Sequence, residues 1–410
     1  MHMSKKTYNI LSLDGGGSWA LIQVKCLQAL YGNHASGHDI LSRFDLVAGN
    51  SGGSLVIAAL AANKKLDEVL KMFVDKSIRH KIFASYNTPW RIFYKLLGLG
   101  PKYSTEKKIL ALKELLKEIK DVSILDLPSR INSNDGKKPH FFIPAFDYNR
   151  KRAIFFRSDK ESNGIPEVLA SKLGKTGSGG TPNGTLLEAA HASSTAPVNY
   201  FNEPASLSNC PSCFWDGAVA GYNNPVLAAT TEALINGIAA NDIVVLSIGT
   251  GITTLPVGSP SQTFENPKLK LNLNFKQGLI SDVKKMATAI LDAPPDAASY
   301  IAFTMLNPTH ASNPNGFDRF IRANPQQQPI LDGSVWQCPK ALKLAEFIKL
   351  ADIEMDAIRQ QDINLIEKFA DLWIEGNIPN QPIRLDADLI PLIGQSSFND
   401  ISSLVSKYIP

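Results

Sequence analysis

The chain has 410 residues, of which 44% are apolar and 20% are charged, a composition typical of globular proteins rather than of disordered chains. Forty-two Lys and Arg against thirty-eight Asp and Glu give a formal net charge of only +4, which is too small to indicate a nucleic-acid partner. Four cysteines are too few for a secreted disulfide framework and suit a reducing compartment.

The start of the chain predicts neither a secretory signal nor a membrane anchor. The first apolar stretch begins near Ile10 and meets Asp14, so it is too short for the apolar region of a Sec signal peptide. The longest run of small apolar residues, 55–62, falls well short of the ~20 residues that a membrane helix needs. We therefore expect a cytoplasmic protein that is soluble or peripheral at membranes.

Two strand, turn and helix units open the chain. Residues 8–13 predict a buried strand, followed by three glycines and a helix over residues 19–31. The pattern recurs with a strand over 44–48, a glycine-rich turn and a helix to about residue 62. Further strands are predicted over 141–146, 153–157, 214–216 and 243–248. This alternation predicts an α/β fold, with a parallel sheet that carries helices on its faces.

A basic segment interrupts this pattern. Residues 79–120 hold ten Lys or Arg, three Glu and interleaved aromatic residues. Two interpretations stay open for this insertion: a pair of amphipathic helices packed on the core, or a lid that faces a membrane.

The chain changes character after about residue 255. A Pro- and Asn-rich stretch follows, and helices are predicted over 281–291, 339–350 and 353–369. We expect a catalytic core over residues 5–255 and a helical extension over 256–410 that packs on this core. Within the core, residues 172–184 predict a loop whose Gly-Lys-Thr resembles the end of a P-loop. Leu169 stands where that motif requires its first glycine, which argues against the motif.

Ser51 is a candidate nucleophile. Gly49-Asn50-Ser51-Gly52-Gly53 fits the pattern G-x-S-x-G and lies between a predicted strand and a predicted helix, the context in which this turn exposes a serine. The glycines allow a sharp turn, and the helix start offers the positive end of a dipole. A simple glycine-serine entry to a helix is the alternative.

Asp14-Gly15-Gly16-Gly17 is the second glycine turn between a strand and a helix. Three consecutive glycines leave their N–H groups unobstructed, which suits an oxyanion. The same turn also suits a phosphate, as in nucleotide-binding proteins, or a sharp bend without any ligand. The spacing does not separate these three interpretations.

A nucleophilic serine needs a base, and two arrangements are considered. A Ser, Asp, His order would use Asp216 and His310, although the loop-like surroundings of His310 favour no role. Alternatively, Asp216 acts alone, because a short predicted strand delivers its carboxylate into a glycine turn. Burial in an apolar cleft would raise the low pKa of such a carboxylate and make it a better base.

Taken together, these motifs resemble the patatin-like phospholipase family. The resemblance covers about residues 8–255 and adds to the two glycine turns three further motifs, which are ASSTAP over 192–197, WDGA around Asp216, and SIGTG over 247–251. It implies a three-layer α/β/α core and lipid acyl hydrolase activity without a metal or other cofactor. It also implies Ser51 as the nucleophile, Asp216 as the base, and Gly15, Gly16 and Gly17 as the oxyanion hole.

The sequence departs from the family at one position, because Trp19-Ala20 stands where Arg-Gly usually follows the glycine turn. The missing arginine affects the anion site or headgroup choice, and Trp19 either lines an acyl pocket or packs in the core. Cys210 and Cys213 form one C-x-x-C pair without the two further ligands that a structural zinc needs.

The sequence thus predicts a phospholipase A or lysophospholipase that acts at phospholipid membrane surfaces, with an activating ligand or protein partner as an option. A catalytically impaired member that binds lipid or a partner is the alternative. A nucleotide-binding α/β protein is the third interpretation, and the lack of a P-loop or a G-x-G-x-x-G fingerprint argues against it.

Overall fold

A computed structural model describes most of the chain. The described residues are 7–86, 100–132, 137–158, 184–198, 200–208, 210–251, 295–307, 318–327, 330–332, 335–385 and 391–410. The predicted helix over 281–291, nearly all of the predicted loop over 172–184, and His310 lie outside them.

A central sheet in the order β5-β6-β3-β2-β1-β7-β8, with β4 paired to β3, forms the middle of the molecule. The strands from β3 through β2, β1 and β7 to β8 pair in parallel. Strands β4 and β6 pair antiparallel with β3, and β5 pairs antiparallel with β6. The strands of this sheet are β1 (Tyr8–Leu13), β2 (Leu46–Gly49), β3 (His140–Asp147), β4 (Arg152–Arg157), β5 (Ala205–Leu207), β6 (Cys210–Asp216), β7 (Ile243–Ile248) and β8 (Phe320–Ala323). Two short hairpins pair β9 (Ile330–Asp332) with β10 (Val335–Gln337), and β11 (Arg384–Leu385) with β12 (Pro391–Ile393).

Helices surround the sheet. They are α1 (Leu21–Tyr31), α2 (Gly37–Leu41), α3 (Ser51–Ala61), α4 (Leu66–Val74), α5 (Lys76–Ile82), α6 (Thr105–Leu115), α7 (Leu127–Arg130), α8 (Leu186–Ser193), α9 (Val226–Ile235), α10 (Leu344–Ala351), α11 (Gln360–Ile374) and α12 (Phe398–Tyr408). A further helical stretch covers residues 295–306. None of the helices that the structure describes combines the length and apolar character needed to cross a membrane.

The helices form one layer on each face of the sheet, because successive strand residues point to opposite faces. Leu11 and Val47 pack in one core cluster with α1 and α3. Their chain neighbours Ile10 and Leu46 pack in a second cluster with α9 and residues 295–306. This α/β/α arrangement around a mostly parallel sheet confirms the predicted fold class.

The sheet topology brings the two glycine turns together. Strands β1 and β2 are parallel neighbours, with Leu13 opposite Gly49. Because parallel strands end at the same edge of a sheet, the turns that follow β1 and β2 lie side by side. That edge carries the candidate site.

The basic insertion packs on the core where it is described. Its helix α6 contacts α5 and α8, and its side chains Arg79 and Lys108 are buried rather than exposed. The described part therefore fits the interpretation as packed amphipathic helices.

Residues after 255 contribute directly to the sheet and to the site edge. Strand β8 pairs in parallel with β7, and α11 packs against α1. The helix predicted over 353–369 begins only at Gln360, because the backbone at Ala357 takes a positive φ of 27°, outside the helical region. The domain boundary near residue 255 stays a prediction.

Candidate active site

Ser51 lies at a sharp turn from β2 into α3. Asn50 is still extended, and α3 begins at Ser51, which takes a positive φ of 48°, a strained value for a residue with a side chain. A Cβ on Gly52 would lie 2.6 Å from the Gly17 carbonyl oxygen, and one on Gly53 would lie 2.5 Å from the Leu13 carbonyl oxygen. Only glycines fit at these two positions, so the turn presses the Ser51 backbone against the other glycine turn.

Asp216 ends strand β6 next to Ser51. Its side chain is only 4% exposed. Asn50 Nδ2 and the Ala218 N–H each donate a hydrogen bond of 2.9 Å to Asp216 Oδ1, and the Ser51 side chain lies near enough to the carboxyl group to favour its ionised form. The two residues that the sequence pairs as nucleophile and base thus lie next to each other.

The environment of Asp216 makes it a better proton acceptor than a carboxylate in water. Burial raises the pKa of Asp216 above its ordinary value, because a buried charge loses its hydration. The hydrogen bonds from Ala218, Ser51 and Asn50 act in the opposite direction, as does the charge of Lys108, but burial is the larger effect.

Ser193 links the elements around Ser51. This residue ends α8, and its Oγ accepts a hydrogen bond of 3.1 Å from the Ser51 N–H while donating one of 3.0 Å to Asn50 Oδ1. Asn50 therefore connects Ser193 to Asp216 through its two amide ends. This chain of hydrogen bonds fixes the relative positions of the turn and the carboxyl group.

The three glycines of the first turn differ in their environments. The Gly15 N–H donates a hydrogen bond of 2.7 Å to the Asn223 carbonyl oxygen, so it is not free for a ligand. Among the described residues, the N–H groups of Gly16 and Gly17 meet no hydrogen-bond acceptor. Gly17 takes a positive φ of 57°, which a glycine adopts without strain.

A buried ion pair holds the start of this turn. Arg322 of β8 donates hydrogen bonds of 3.0 and 2.5 Å to the two carboxylate oxygens of Asp14, and one of 2.7 Å to Ser247 Oγ. Thr250 Oγ1 donates a hydrogen bond of 3.0 Å to the Gly15 carbonyl oxygen. The turn therefore depends on strands β7 and β8 as well as on its own glycines.

An apolar pocket opens at Ser51. Ser51, Gly17 and Gly52 line one side of it. The apolar lining comes from α3, α4, α5 and the segments that follow, namely Leu55, Met72, Phe73, Ile82, Phe83 and Phe201. The pocket suits an aliphatic chain whose end reaches the Ser51 hydroxyl.

The structure thus brings Ser51, Asp216 and the glycine turn to one place. Trp19 is 1% exposed and packs in the core, away from the pocket lining. His191 is buried, and burial together with nearby lysines holds the pKa of its imidazole well below the usual range.

Four contributors to the site were missed by the sequence reasoning: Asn50, Ser193, Lys108 and Arg322. Asn50 and Ser193 lie inside the motifs GNSGG and ASSTAP, so the motifs signalled their place without indicating a role. Lys108 and Arg322 lie far along the chain from the motifs, and no local pattern distinguishes them from other basic residues.

Comparison with known proteins identifies the family of this chain. The fold and the two glycine turns define an α/β protein with a serine at a tight turn beside a buried carboxylate. The family model described as patatin-like phospholipase matches residues 11–230, more than half of the chain, and the chain therefore belongs to this family.

Curated relatives carry phospholipase names. A cGAMP-activated phospholipase from Pseudomonas aeruginosa (strain BWHPSA011 / Pa011) is 30% identical over 153 residues, covering 37% of this chain and 40% of the relative. A cGAMP-activated phospholipase from Escherichia coli (strain TW11681) is 26% identical over 261 residues, covering 60% and 63%. An intracellular phospholipase A2 from Caenorhabditis elegans is 34% identical over 86 residues, covering 21% and 8%. The chain thus matches less than two thirds of the length of each of these relatives.

Two solved structures show a weaker likeness. VipD from Legionella pneumophila is 12% identical with a TM-score of 0.35, covering 89% of this chain and 67% of that one. Human GIVD cytosolic phospholipase A2 is 10% identical with a TM-score of 0.34, covering 98% and 60%.

Proposed function

We propose that this protein is a lipid acyl hydrolase that cleaves carboxylic ester bonds of glycerophospholipids through a Ser51–Asp216 dyad. The contact between the Ser51 side chain and the buried Asp216 carboxylate, at the mouth of an apolar pocket, carries this proposal. A serine with a hydrogen-bonded base beside it has the arrangement of an activated nucleophile. Membership of the patatin-like phospholipase family supports an ester of a lipid as the substrate.

The reaction runs in two halves. Asp216 accepts the Ser51 hydroxyl proton as Oγ attacks the ester carbonyl carbon, and the N–H groups of Gly16 and Gly17 donate to the oxyanion. The C–O bond to the leaving alcohol then breaks, the alcohol takes the proton from Asp216, and an acyl-Ser51 ester remains. Water, deprotonated by Asp216, attacks this ester, and the fatty acid leaves as Ser51 regains its proton. These steps need no metal or other cofactor.

The proposal modifies the expected oxyanion hole. The three glycines were expected to donate together, but the Gly15 N–H already donates to Asn223. We therefore assign Gly16 and Gly17 as the two donors, with Gly15 in a supporting role.

We further propose that the protein acts peripherally at phospholipid membrane surfaces. Exposed lysines on and near α6, among them Lys107 and Lys113, would favour anionic lipids, to which each basic residue near the surface contributes ~1 kcal/mol. Co-sedimentation with phosphatidylserine vesicles that weakens at high salt would support this proposal, and equal binding to neutral vesicles would contradict it.

Activation by a ligand is a second proposal, motivated by two relatives named cGAMP-activated phospholipases. We expect cGAMP to increase the rate at which the purified protein hydrolyses phospholipid vesicles. A full rate without any addition would argue against this dependence.

Product analysis tests the dyad. Mixed phospholipid vesicles are incubated with the wild type, Ser51→Ala and Asp216→Asn, and the products are identified by mass spectrometry. We expect each substitution to lower fatty-acid release by about a thousandfold or more while circular dichroism stays unchanged. A fluorophosphonate should label the wild type and leave Ser51→Ala unlabelled.

The exposed residues Ser403 and Asp121 offer matched controls. Ser403→Ala and Asp121→Asn make the same chemical changes on the surface and should leave the rate unchanged. Near-wild-type turnover in either dyad variant would refute the assignment. A wild type that neither reacts with the fluorophosphonate nor hydrolyses lipid would favour the impaired, lipid-binding alternative.

A further inference from the structure

Lys108 is a buried lysine in the wall of the Ser51 pocket. It projects from α6, lines the same pocket as Ser51, and is only 1% exposed. A lysine this deeply buried is unusual, because its ammonium loses its hydration. Its place in the pocket of the proposed nucleophile indicates that this buried amine has a role toward a bound ligand.

The groups that contact the Lys108 side-chain nitrogen are uncharged. Its Nζ donates hydrogen bonds of 3.0 Å to Thr195 Oγ1 and 3.2 Å to the His191 carbonyl oxygen, and it lies 4.5 Å from the centre of the Phe201 ring. Within the described part of the chain, the hydrogen-bond partners of this nitrogen include no carboxylate oxygen. An ammonium has three N–H donors, and these two hydrogen bonds occupy two of them.

The other buried cation of the pocket, Arg79, binds mainly to the protein itself. Its two terminal guanidinium nitrogens donate hydrogen bonds to the carbonyl oxygens of Phe73 and Ile358, at 2.9 and 3.3 Å, and to Gln360 Oε1 at 2.9 Å. These bonds tie α5 to α4 and to the start of α11, and only the buried Nε has no hydrogen-bond partner among the described residues. Arg79 therefore has a structural role through both terminal nitrogens, whereas Lys108 has one N–H donor beyond its two hydrogen bonds.

A positive charge in the pocket would assist the proposed reaction. Trp19, which follows the glycine turn, is packed in the core and does not line the pocket. Burial lowers the pKa of Lys108, and the charge of Asp216 opposes this effect. An anion that enters the pocket would likewise stabilise the charged amine.

We propose that Lys108 binds the phosphate group of the substrate phospholipid and so selects phosphate-bearing lipids over neutral esters. This inference rests on the proposed lipid hydrolase function. In a glycerophospholipid the phosphate lies a few bonds from the scissile ester, so a cation in the wall of the nucleophile's pocket can reach it. Lys108 makes a charge-assisted hydrogen bond to a phosphate oxygen while Ser51 attacks the acyl carbon.

The test uses two substrates that differ only in the phosphate-bearing headgroup: 1-palmitoyl-lysophosphatidylcholine and 1-monopalmitoylglycerol. We expect Lys108→Met to lower kcat/KM about tenfold to a hundredfold for the lysophospholipid, the usual effect of losing a hydrogen bond to a charged group. The monoacylglycerol should change by less than about threefold. Lys108→Arg, which keeps the charge, should retain part of the preference.

Lys340 provides the control, because it is an exposed lysine outside the basic insertion. Lys340→Met should leave the rates on both substrates unchanged. An equal loss on both substrates in Lys108→Met would assign Lys108 a purely structural role and overturn the proposal, and so would no loss on either. Hydrolysis of neither substrate by the wild type would instead count against the proposed function.

A measurement on the wild type keeps the proposal testable if Lys108→Met does not fold. Hydrolysis of a p-nitrophenyl ester is followed in the presence of hexadecylphosphocholine or of 1-O-hexadecylglycerol, two non-hydrolysable single-chain lipids. We expect the phosphate-bearing lipid to inhibit at least about tenfold more strongly. Equal inhibition by the two lipids would overturn the proposal.

Discussion

Asp216 combines two requirements that conflict in water. A base must be ionised to accept a proton, yet a strong base holds its own proton at neutral pH. Burial raises the pKa of the Asp216 carboxyl group, and three hydrogen bonds limit that rise. The site therefore carries a carboxylate of increased basicity whose ionised form is still stabilised by Asn50, Ser51 and Ala218.

The raised pKa of Asp216 predicts the pH dependence of the reaction. Because the base works only when ionised, kcat/KM should fall as the pH decreases through the pKa of Asp216. That midpoint should lie above the ordinary value of about 3.9 for an aspartate. The pH profile with a neutral ester measures it, and a rate that stays constant down to pH 4 would contradict the role of Asp216.

Asn50 should influence the pH at which kcat/KM falls to half of its maximum. Asn50→Ala removes the hydrogen bond to Asp216 Oδ1, which favours the ionised form, so the acidic limb should move to higher pH and the maximal rate should fall at least about tenfold. Asn364, an exposed residue of α11, gives the control Asn364→Ala, which should reproduce the wild-type profile. An unchanged acidic limb in Asn50→Ala would exclude this tuning.

At the level of residues, local motifs carried the prediction of Ser51, Asp216 and the glycines. Each motif forms a turn that only certain residues, above all glycine, can adopt, and these residues can be recognised in the sequence. The roles of Lys108 and Ser193 depend on which helices meet above the sheet, and the sequence does not give that packing. The hydrogen bond from the Gly15 N–H to the Asn223 carbonyl oxygen likewise depends on tertiary packing.

Among the elements, the close contact between the two glycine turns has a direct consequence. A Cβ on Gly52 would lie 2.6 Å from the Gly17 carbonyl oxygen and 2.9 Å from the Ala20 Cβ, so Gly52→Ala must displace one turn from the other. We expect ester hydrolysis to fall at least about tenfold, because catalysis is sensitive to shifts below 1 Å.

Gly184 offers the control for this substitution. Its φ lies outside the left-handed region, and among the described residues an added Cβ would meet the flexible Glu188 side chain at 3.1 Å. Gly184→Ala should leave the rate of hydrolysis unchanged. If Gly52→Ala hydrolysed esters as well as Gly184→Ala does, the turns would not need their close contact.

The segment between α10 and α11 closes over the first glycine turn. The Ser18 N–H donates a hydrogen bond of 2.8 Å to the Met355 carbonyl oxygen, and Ser18 Oγ donates one of 2.9 Å to that of Asp356. The buried Asp356 carboxylate accepts hydrogen bonds from Tyr103 and, at 3.2 Å, from Lys102. Asp356 therefore fastens this segment to the basic insertion.

Asp356→Asn should loosen that attachment. We expect amide hydrogen exchange at Ser18 to become faster by about threefold to tenfold, since a hydrogen bond to a charged group is weakened. Asp352→Asn, an exposed change in the same segment, should leave the exchange rate unaltered. Equal exchange at Ser18 in both variants would show that Asp356 does not hold the segment.

The predicted elements agree with the structure where periodicity is strong. Strands β1 and β7 match their predicted bounds, because continuous apolar runs mark buried parallel strands. The helix predicted over 353–369 begins later and ends later in the structure, at Gln360–Ile374. Residues 354–356 are held by Ser18, Lys102 and Tyr103 rather than by the helical pattern. Tertiary contacts override local preference there.

At the scale of the molecule, the buried pair between Asp14 and Arg322 joins β1 to β8. Removing one partner leaves an uncompensated buried charge, so Arg322→Met should lower the free energy of unfolding by about 3–5 kcal/mol. Adding Asp14→Asn should restore part of that loss. The exposed pair between Arg384 and Asp296 gives the control Arg384→Met, with an expected change of at most about 1 kcal/mol.

Denaturant titrations followed by circular dichroism measure these free energies. If Arg322→Met were as stable as Arg384→Met, the buried pair would not contribute to holding the sheet together.

The sequence indicated the α/β class of this sheet from its repeating units. It did not indicate that β8, beyond residue 255, adds to the sheet. A strand of four residues that has no neighbouring glycine turn shows no sequence pattern that identifies it as a strand.

The span of 308 residues between Asp14 and Arg322 also has a consequence for biosynthesis. Ribosomes add about 5–20 residues each second, so about 15–60 s separate the emergence of these two side chains. During that interval the nascent polypeptide already contains Ser51 but lacks the guanidinium that anchors the first glycine turn. The proposed catalytic site is therefore complete only after translation has passed β8.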